Sequence, residues 1–330
     1  MAHLVETMAY ANETPWHRLG VKVEDDLTPD EMLVKAGLDW QINKEGLLTM
    51  NTKQSVPEQY ALVRSSDDFV LGTCGKGYKP VQPKEVLSFF HEFVEKGGMK
   101  METAGSLNNG RQIWALAAIQ DSFVLGKEDK VEGYLLFSSP NVVGRALRIM
   151  FTPIRVVCNN TLTMALTSSS GRGEFRLHHA QQFDPDIAKA ALGLATGQLN
   201  EFEQEAAFLA SKDVGSEHAL REYFMDLWPT GAVRAGKRNA ELAAAAANEN
   251  NIETGMSRTA EAAMTIFSKQ PGAEFFPNTW WNAFNTVTYI IDHVAGRSDN
   301  NRLRNAWFGG GERIKRQALS LAIDNARKAA

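Results

Sequence analysis

Cysteine is nearly absent. The chain has two in 330 residues, Cys74 and Cys158, far apart and outside any metal-ligand spacing. No disulfide framework is expected, and a reducing compartment is the natural setting. The seven histidines (His3, His17, His91, His178, His179, His218, His293) include no HxxxH or HxH spacing. Adjacent His178 and His179 would face opposite sides of a strand, so no metal site is expected. The stretch GKGYKP at Gly75–Pro80 is not a phosphate loop, and no GxGxxG leads from a strand into a helix, so no nucleotide cofactor is expected. Long apolar runs are missing too. None reaches the roughly 18 residues of a membrane span, and Met1–Gly20 lacks a positive end followed by an apolar core. The expectation is a cytoplasmic protein with neither a membrane partner nor a secretion signal.

With 44% hydrophobic and 9% aromatic residues, the chain can bury one ordinary core or two smaller ones. Its net charge is −4, but the charge is uneven. Residues 1–60 hold ten acids against five bases. Residues 297–328 hold eight bases against three acids. Between them, Ser139–Gln182 carries five arginines (Arg145, Arg148, Arg155, Arg172, Arg176) against Glu174 alone. A local charge of +4 inside an acidic protein points to a surface that meets an anion, although any single charge run is commonly a solvated face.

Local signals predict an α+β chain. TPDE at Thr28 supplies a cap, a proline at helical φ and acids beside the helix dipole, and Gly37 ends that helix. Strands are predicted at Tyr60–Arg64 and Phe69–Thr73 around SSDD, with a third at Tyr78–Val81. A helix then follows from Pro83 to Gly97. Asn108-Asn109-Gly110 predicts a hairpin between Thr103–Leu107 and Arg111–Ala118. Val131–Ser138 and Arg145–Val157 form a further pair, after which Asn159 or Asn160 is expected to cap a helix TLTMAL. Strand-strand-strand-helix units thus fill residues 1–182. Residues 183–330 read as helical, at 184–213, 216–227, 239–248, 257–268, 279–293 and 311–330, with a flexible zone at Pro229–Gly255.

The run FTPIRVVCNNTLTMAL, Phe151–Leu166, joins a buried strand to polar groups that neither neighbouring element needs. Arg155 there has two roles open, a bond to an acid such as Glu174 or a phosphate contact. Asn159 and Asn160 divide between capping and presenting donors to a phosphate. Cys158 with His178 or His179 would make a nucleophile and base, but a cysteine in VVC at a strand end is more often a small buried hydrophobe.

MAYANETPWHRLG (Met8–Gly20), AGLDW (Ala36–Trp40), GYKPVQ (Gly77–Gln82), this run and NAWFGGG (Asn305–Gly311) together resemble the phage- and plasmid-encoded proteins grouped as domain of unknown function 932. The resemblance implies a mobile-element setting and no established activity. The repeated strand-strand-strand-helix units are also similar, at fold level, to phage single-strand annealing recombinases. That similarity implies ATP-independent annealing of single-stranded DNA by a homo-oligomeric ring or filament, with no cofactor.

The binding residues expected on this reading are Lys76, Tyr78, Lys79, Arg111, Arg145, Arg148, Arg155, Arg172 and Arg176. Cations would track the backbone and Tyr78 would stack on a base, unless it is a half-buried strand tyrosine. Two other classes stay open. One is a phage structural or host-interaction protein, with Trp280-Trp281 and Trp307-Phe308 as anchors if they are not core. The other is a hydrolase with an unrecognised site.

Overall fold

The computed structural model describes residues 5–11, 19–97, 99–145, 147–155, 160–161, 164–165, 176–177, 185–230, 256–295 and 302–328. Its architecture is α+β, with strands in the amino-terminal half and helices after them.

The expected cap at Thr28 forms in full. The Thr28 hydroxyl accepts from Glu31 N–H (3.3 Å) and the Glu31 carboxylate accepts from Thr28 N–H (2.9 Å), starting α1 (Pro29–Lys35). A small antiparallel sheet follows, β3 (Ile42–Leu48), β4 (Ser55–Arg64) and β5 (Val70–Gly75), after β1 (Val5–Tyr10) and β2 (Val21–Lys22) have joined another sheet. The third strand is therefore Ile42–Leu48 and not Tyr78–Val81. The physical reason is Lys44, whose Nζ donates to the carbonyls of Gly75, Lys76 and Tyr78 (3.4, 2.8 and 3.0 Å) and ties that segment down as a turn. The helix predicted from Pro83 divides into α2 (Pro83–Ser88) and α3 (His91–Gly97). Between them, Phe90 N–H bonds Leu87 carbonyl three residues back, which sends both Phe89 and Phe90 into the core.

The large sheet is a meander, β6 (Lys100–Leu107), β7 (Gln112–Leu125), β8 (Asp129–Pro140) and β9 (Leu147–Arg155), extended on the β6 side by β1 and then β2. The predicted hairpin joins β6 to β7. Asn108, Asn109 and Gly110 all have positive φ (54°, 57° and 76°), the conformation their side chains tolerate. At Gly105 a Cβ would lie 2.4 Å from Thr7 carbonyl oxygen and 2.5 Å from the Trp114 ring, so β1 and Trp114 close in only because no side chain is there. The capped helix expected at TLTMAL is not formed. Asn160–Thr161 (β10) and Met164–Ala165 (β11) pair antiparallel with β9, as does Arg176–Leu177 (β12). A strand edge with unpaired backbone groups outweighs a weak cap here, and threonine suits the pleat.

Helix α4 (Pro185–Ala210) crosses β7, β8 and β9, with Phe202 against Phe123 at 6.1 Å between ring centroids. After it come α5 (Glu217–Leu227), α6 (Arg258–Ile266), α7 (Trp280–Tyr289) continued by a π-turn (Ile290–Val294), α8 (Arg302–Phe308) and α9 (Gly310–Lys328). Helix α8 was not expected. The predicted helix 239–248 and most of the flexible zone lie outside the described residues. One apolar cluster runs from Val5 through Trp114 and Phe151 to Ala326. Trp280, Trp281 and Trp307 are buried within it, so these three pack the core and do not stand out as surface anchors.

Candidate nucleic-acid interface

The two sheets meet at the Gln112 end of β7. Arg64, the last residue of β4, is buried there and makes paired bonds to two carboxylates. Its Nη1 donates to both Glu6 oxygens (2.8 and 2.9 Å), and Nε and Nη2 donate to Asp67 (2.8 and 2.7 Å). Asp67 and Glu6 hold the guanidinium above its ordinary pKa against the cost of burial, and Arg64 in turn lowers that of Asp67. Trp40 and Phe69 flank the group at 5.5 and 5.4 Å. Sequence reading missed this joint, because Arg64 closes an ordinary strand and Glu6 lies 58 residues away.

Arg111 shares the Phe69 ring, at 5.3 Å, and its Nε donates to Leu71 carbonyl (2.8 Å). Its own carbonyl accepts from Asn141 N–H (2.8 Å), while Asn141 Nδ2 donates to Gly110 carbonyl (2.8 Å). The loop after β8 is thereby pinned to the Asn108–Gly110 turn, and Gly72 of β5 lies against Asn141 and Val142. Arg145 is exposed at the far end of that loop, beside Val143, which is 56% exposed. Lys76 and Lys79 are exposed on the turn after β5; Gly72 and Lys76 are four residues apart, roughly 13 Å of strand. Lys76 meets Glu58 at 3.2 Å in a pair exposed on both sides, which holds it only weakly. The fold thus seats Arg111 at the seam, with Arg145 exposed four residues beyond the pinned Asn141 and Lys76 and Lys79 exposed on the turn after β5.

Tyr78 is half-buried with its hydroxyl in the interior, and burial pushes its pKa up. Arg148 turns toward the helical layer, with Nη1 3.6 Å from Glu312 of α9. Arg176 has its backbone opposite Arg148. The side chains of Arg155 and Arg176, and all of Arg172, Glu174, Cys158, Asn159, His178 and His179, lie outside the described residues. Among the described residues no three of His, Cys, Asp and Glu group as a metal site would require, and no helix is long and apolar enough to cross a membrane.

A second charged cluster lies under the helices. The π-turn after α7 presents Asp292 to Lys315 of α9 in an ion pair that is 1% and 0% exposed. Burial lowers the Lys315 pKa, and Asp292 and then Glu312 oppose that shift. Glu312 is buried beside Arg148 and Arg316, the latter at 3.2 Å. The glycines of NAWFGGG explain the close approach: a Cβ on Gly311 would lie 2.7 Å from Ile291 Cγ2 and 2.8 Å from Asn305 carbonyl oxygen. In the sequence, Lys315 counted as one more charge of a basic segment.

A family model described as Domain of unknown function (DUF932) matches residues 70–307, more than half of the chain. No curated protein and no solved structure matches it.

Proposed function

The chain belongs to the family of that domain of unknown function, DUF932, and we propose that it binds single-stranded nucleic acid and promotes annealing without a nucleotide cofactor. The setting on this reading is recombination or replication of a phage or plasmid. The observation that carries the reading is the seam between the sheets, where backbone contacts hold Arg111 and where Arg145, Lys76 and Lys79 are exposed on the adjoining loop and turn. Cations on a rigid scaffold bind phosphates in any sequence, and such contacts leave base edges free to pair.

Fluorescence anisotropy with labelled single-stranded DNA over a salt series tests the proposal, followed by addition of the complementary strand. Binding should weaken steeply with salt, and annealing should speed up without ATP. Replacing Lys76, Lys79 and Arg145 together by alanine should flatten the log–log salt slope by about 2, at ~0.7 per lost phosphate contact on a single strand. All three side chains are exposed, so the variant should fold. No binding at low salt, or an unchanged slope in the triple variant, would remove the seam from consideration.

A further inference from the structure

Two exposed features lie on different parts of the fold, one on the small sheet and one among the helices. The first is an arm. Strand β5 pairs only with Gln59–Val63 of β4, so the end of β3 and residues 48–58 project beyond the small sheet as a two-stranded hairpin. Its tip exposes Leu48 (62%) and Met50 (85%) beside the exposed Lys53. Large apolar side chains so free of contact on a projecting tip are ordinary singly but informative together. The second feature is an open cleft of about 560 Å³ where the α4–α5 connection meets α6, with Val214, Leu220, Met264 and Phe267 lining it and Asp213 and Glu217 among its walls. Glu217 shares its charge with Arg221 on the exposed surface at 3.6 Å.

The arm and the cleft do not meet within one copy, since Leu48 and Met50 stand exposed while the cleft is open. Arg64, where β4 ends, sits beside Gly110 at the Gln112 end of β7 and pairs with Ile42, and Leu48 lies six residues on along β3, roughly 20 Å of strand. The cleft is at the other end of β7: Gly126, just past Leu125, faces the Phe276 ring at 3.0 Å from where its Cβ would be, and Asn278 lines the cleft. Strand β7 alone spans on the order of 40 Å between these ends.

We propose that the arm tip of one copy inserts into the cleft of a second, with Leu48 and Met50 against the apolar lining and Lys53 facing Asp213 and Glu217. The contact is heterologous, so repeating it builds a closed ring or an open filament. Charge complementarity and the presence of both halves on every chain favour a second copy over a foreign occupant. The inference goes beyond nucleic-acid binding and does not depend on it.

Cysteine cross-linking tests it in a Cys158→Ala background, where Cys74 is buried. Met50→Cys and Thr265→Cys proteins are oxidised separately and mixed; Thr265 is an exposed cleft residue. A cross-linked dimer should form in the mixture and in neither protein alone. Sedimentation velocity should show Met50→Asp self-associating at least roughly tenfold more weakly than the parent, with an unchanged melting temperature because the side chain touches little. A cross-link in Met50→Cys alone would mean that arms pair with each other, and overturns the proposal. A parent protein that stays monomeric at high concentration, with no cross-link in the mixture, overturns it too and leaves the cleft to a different occupant.

Discussion

Replacing Asp292 by asparagine should strand a lysine in the protein interior. Lys315 is 0% exposed and Asp292 is its principal counter-charge, so the variant removes the main group that opposes the effect of burial on the ammonium. Breaking such a pair typically costs about 3–5 kcal/mol. A ceiling can be worked independently, because the stranded lysine escapes by losing its proton. Three and a half pH units separate its ordinary value of 10.5 from pH 7, and at about 1.36 kcal/mol per unit the cost cannot exceed about 5 kcal/mol. The sign of the pH dependence follows. In the variant the folded lysine is neutral while the unfolded one stays protonated up to 10.5, so the unfolded state binds the extra proton and stability rises with pH. Urea unfolding of parent and Asp292→Asn at pH 7 and pH 9 should show the deficit shrinking by about 2.7 kcal/mol. The double variant Asp292→Leu with Lys315→Met should recover most of the loss at both pH values. A deficit that is the same at both pH values, or under about 1 kcal/mol at pH 7, would refute the reasoning, since it would mean that Lys315 keeps its proton by reaching water.

Gly311→Ala should destabilise by about 1–3 kcal/mol through overpacking against Ile291 and Asn305, whereas Gly77→Ala, with open space around it, should stay within about 0.5 kcal/mol in the same thermal melts. Tyr223 is fully buried, its hydroxyl donates to Ala318 carbonyl (3.0 Å), and burial raises its pKa well above 10.0. Its contribution is therefore complete below pH 10.0 and lost as pH climbs beyond that value. Tyr223→Phe should flatten this alkaline loss while costing about 1 kcal/mol at neutral pH, as read by urea midpoints between the two conditions. Thr28→Ala removes the α1 cap and should cost about 1 kcal/mol, measurable by circular dichroism melts; no change would mean that Pro29 and tertiary packing fix that helix start without the cap.

Sequence legibility depended on whether a residue's role was local. The Asn108–Gly110 turn and the Thr28 cap were readable because positive φ and the first-turn N–H groups make demands within four residues. The fate of TLTMAL was not readable, since it depends on β9 needing an edge partner, and β9 becomes an edge only once the meander has formed. Ile42–Leu48 escaped notice as a strand because much of it stays exposed and lacks a clean alternation of buried and exposed side chains. In the candidate site the basic residues were visible by composition, yet only the fold seats Arg111 against Leu71 and Asn141 and turns Arg148 to Glu312. Arg64 and Lys315 were hidden for the same reason, because each acquires its meaning from a carboxylate distant in sequence.

Strand β1 has a consequence in time. It joins the large sheet by pairing Val5 with Leu107, so during synthesis β1 leaves the ribosome about a hundred residues before this partner exists. At roughly 5–20 residues per second that interval is on the order of 5–20 s, long compared with the microseconds in which a hairpin closes. The small sheet can assemble while β1 waits, so β1 finds its place only after three strands that follow it in the chain can already have paired with one another.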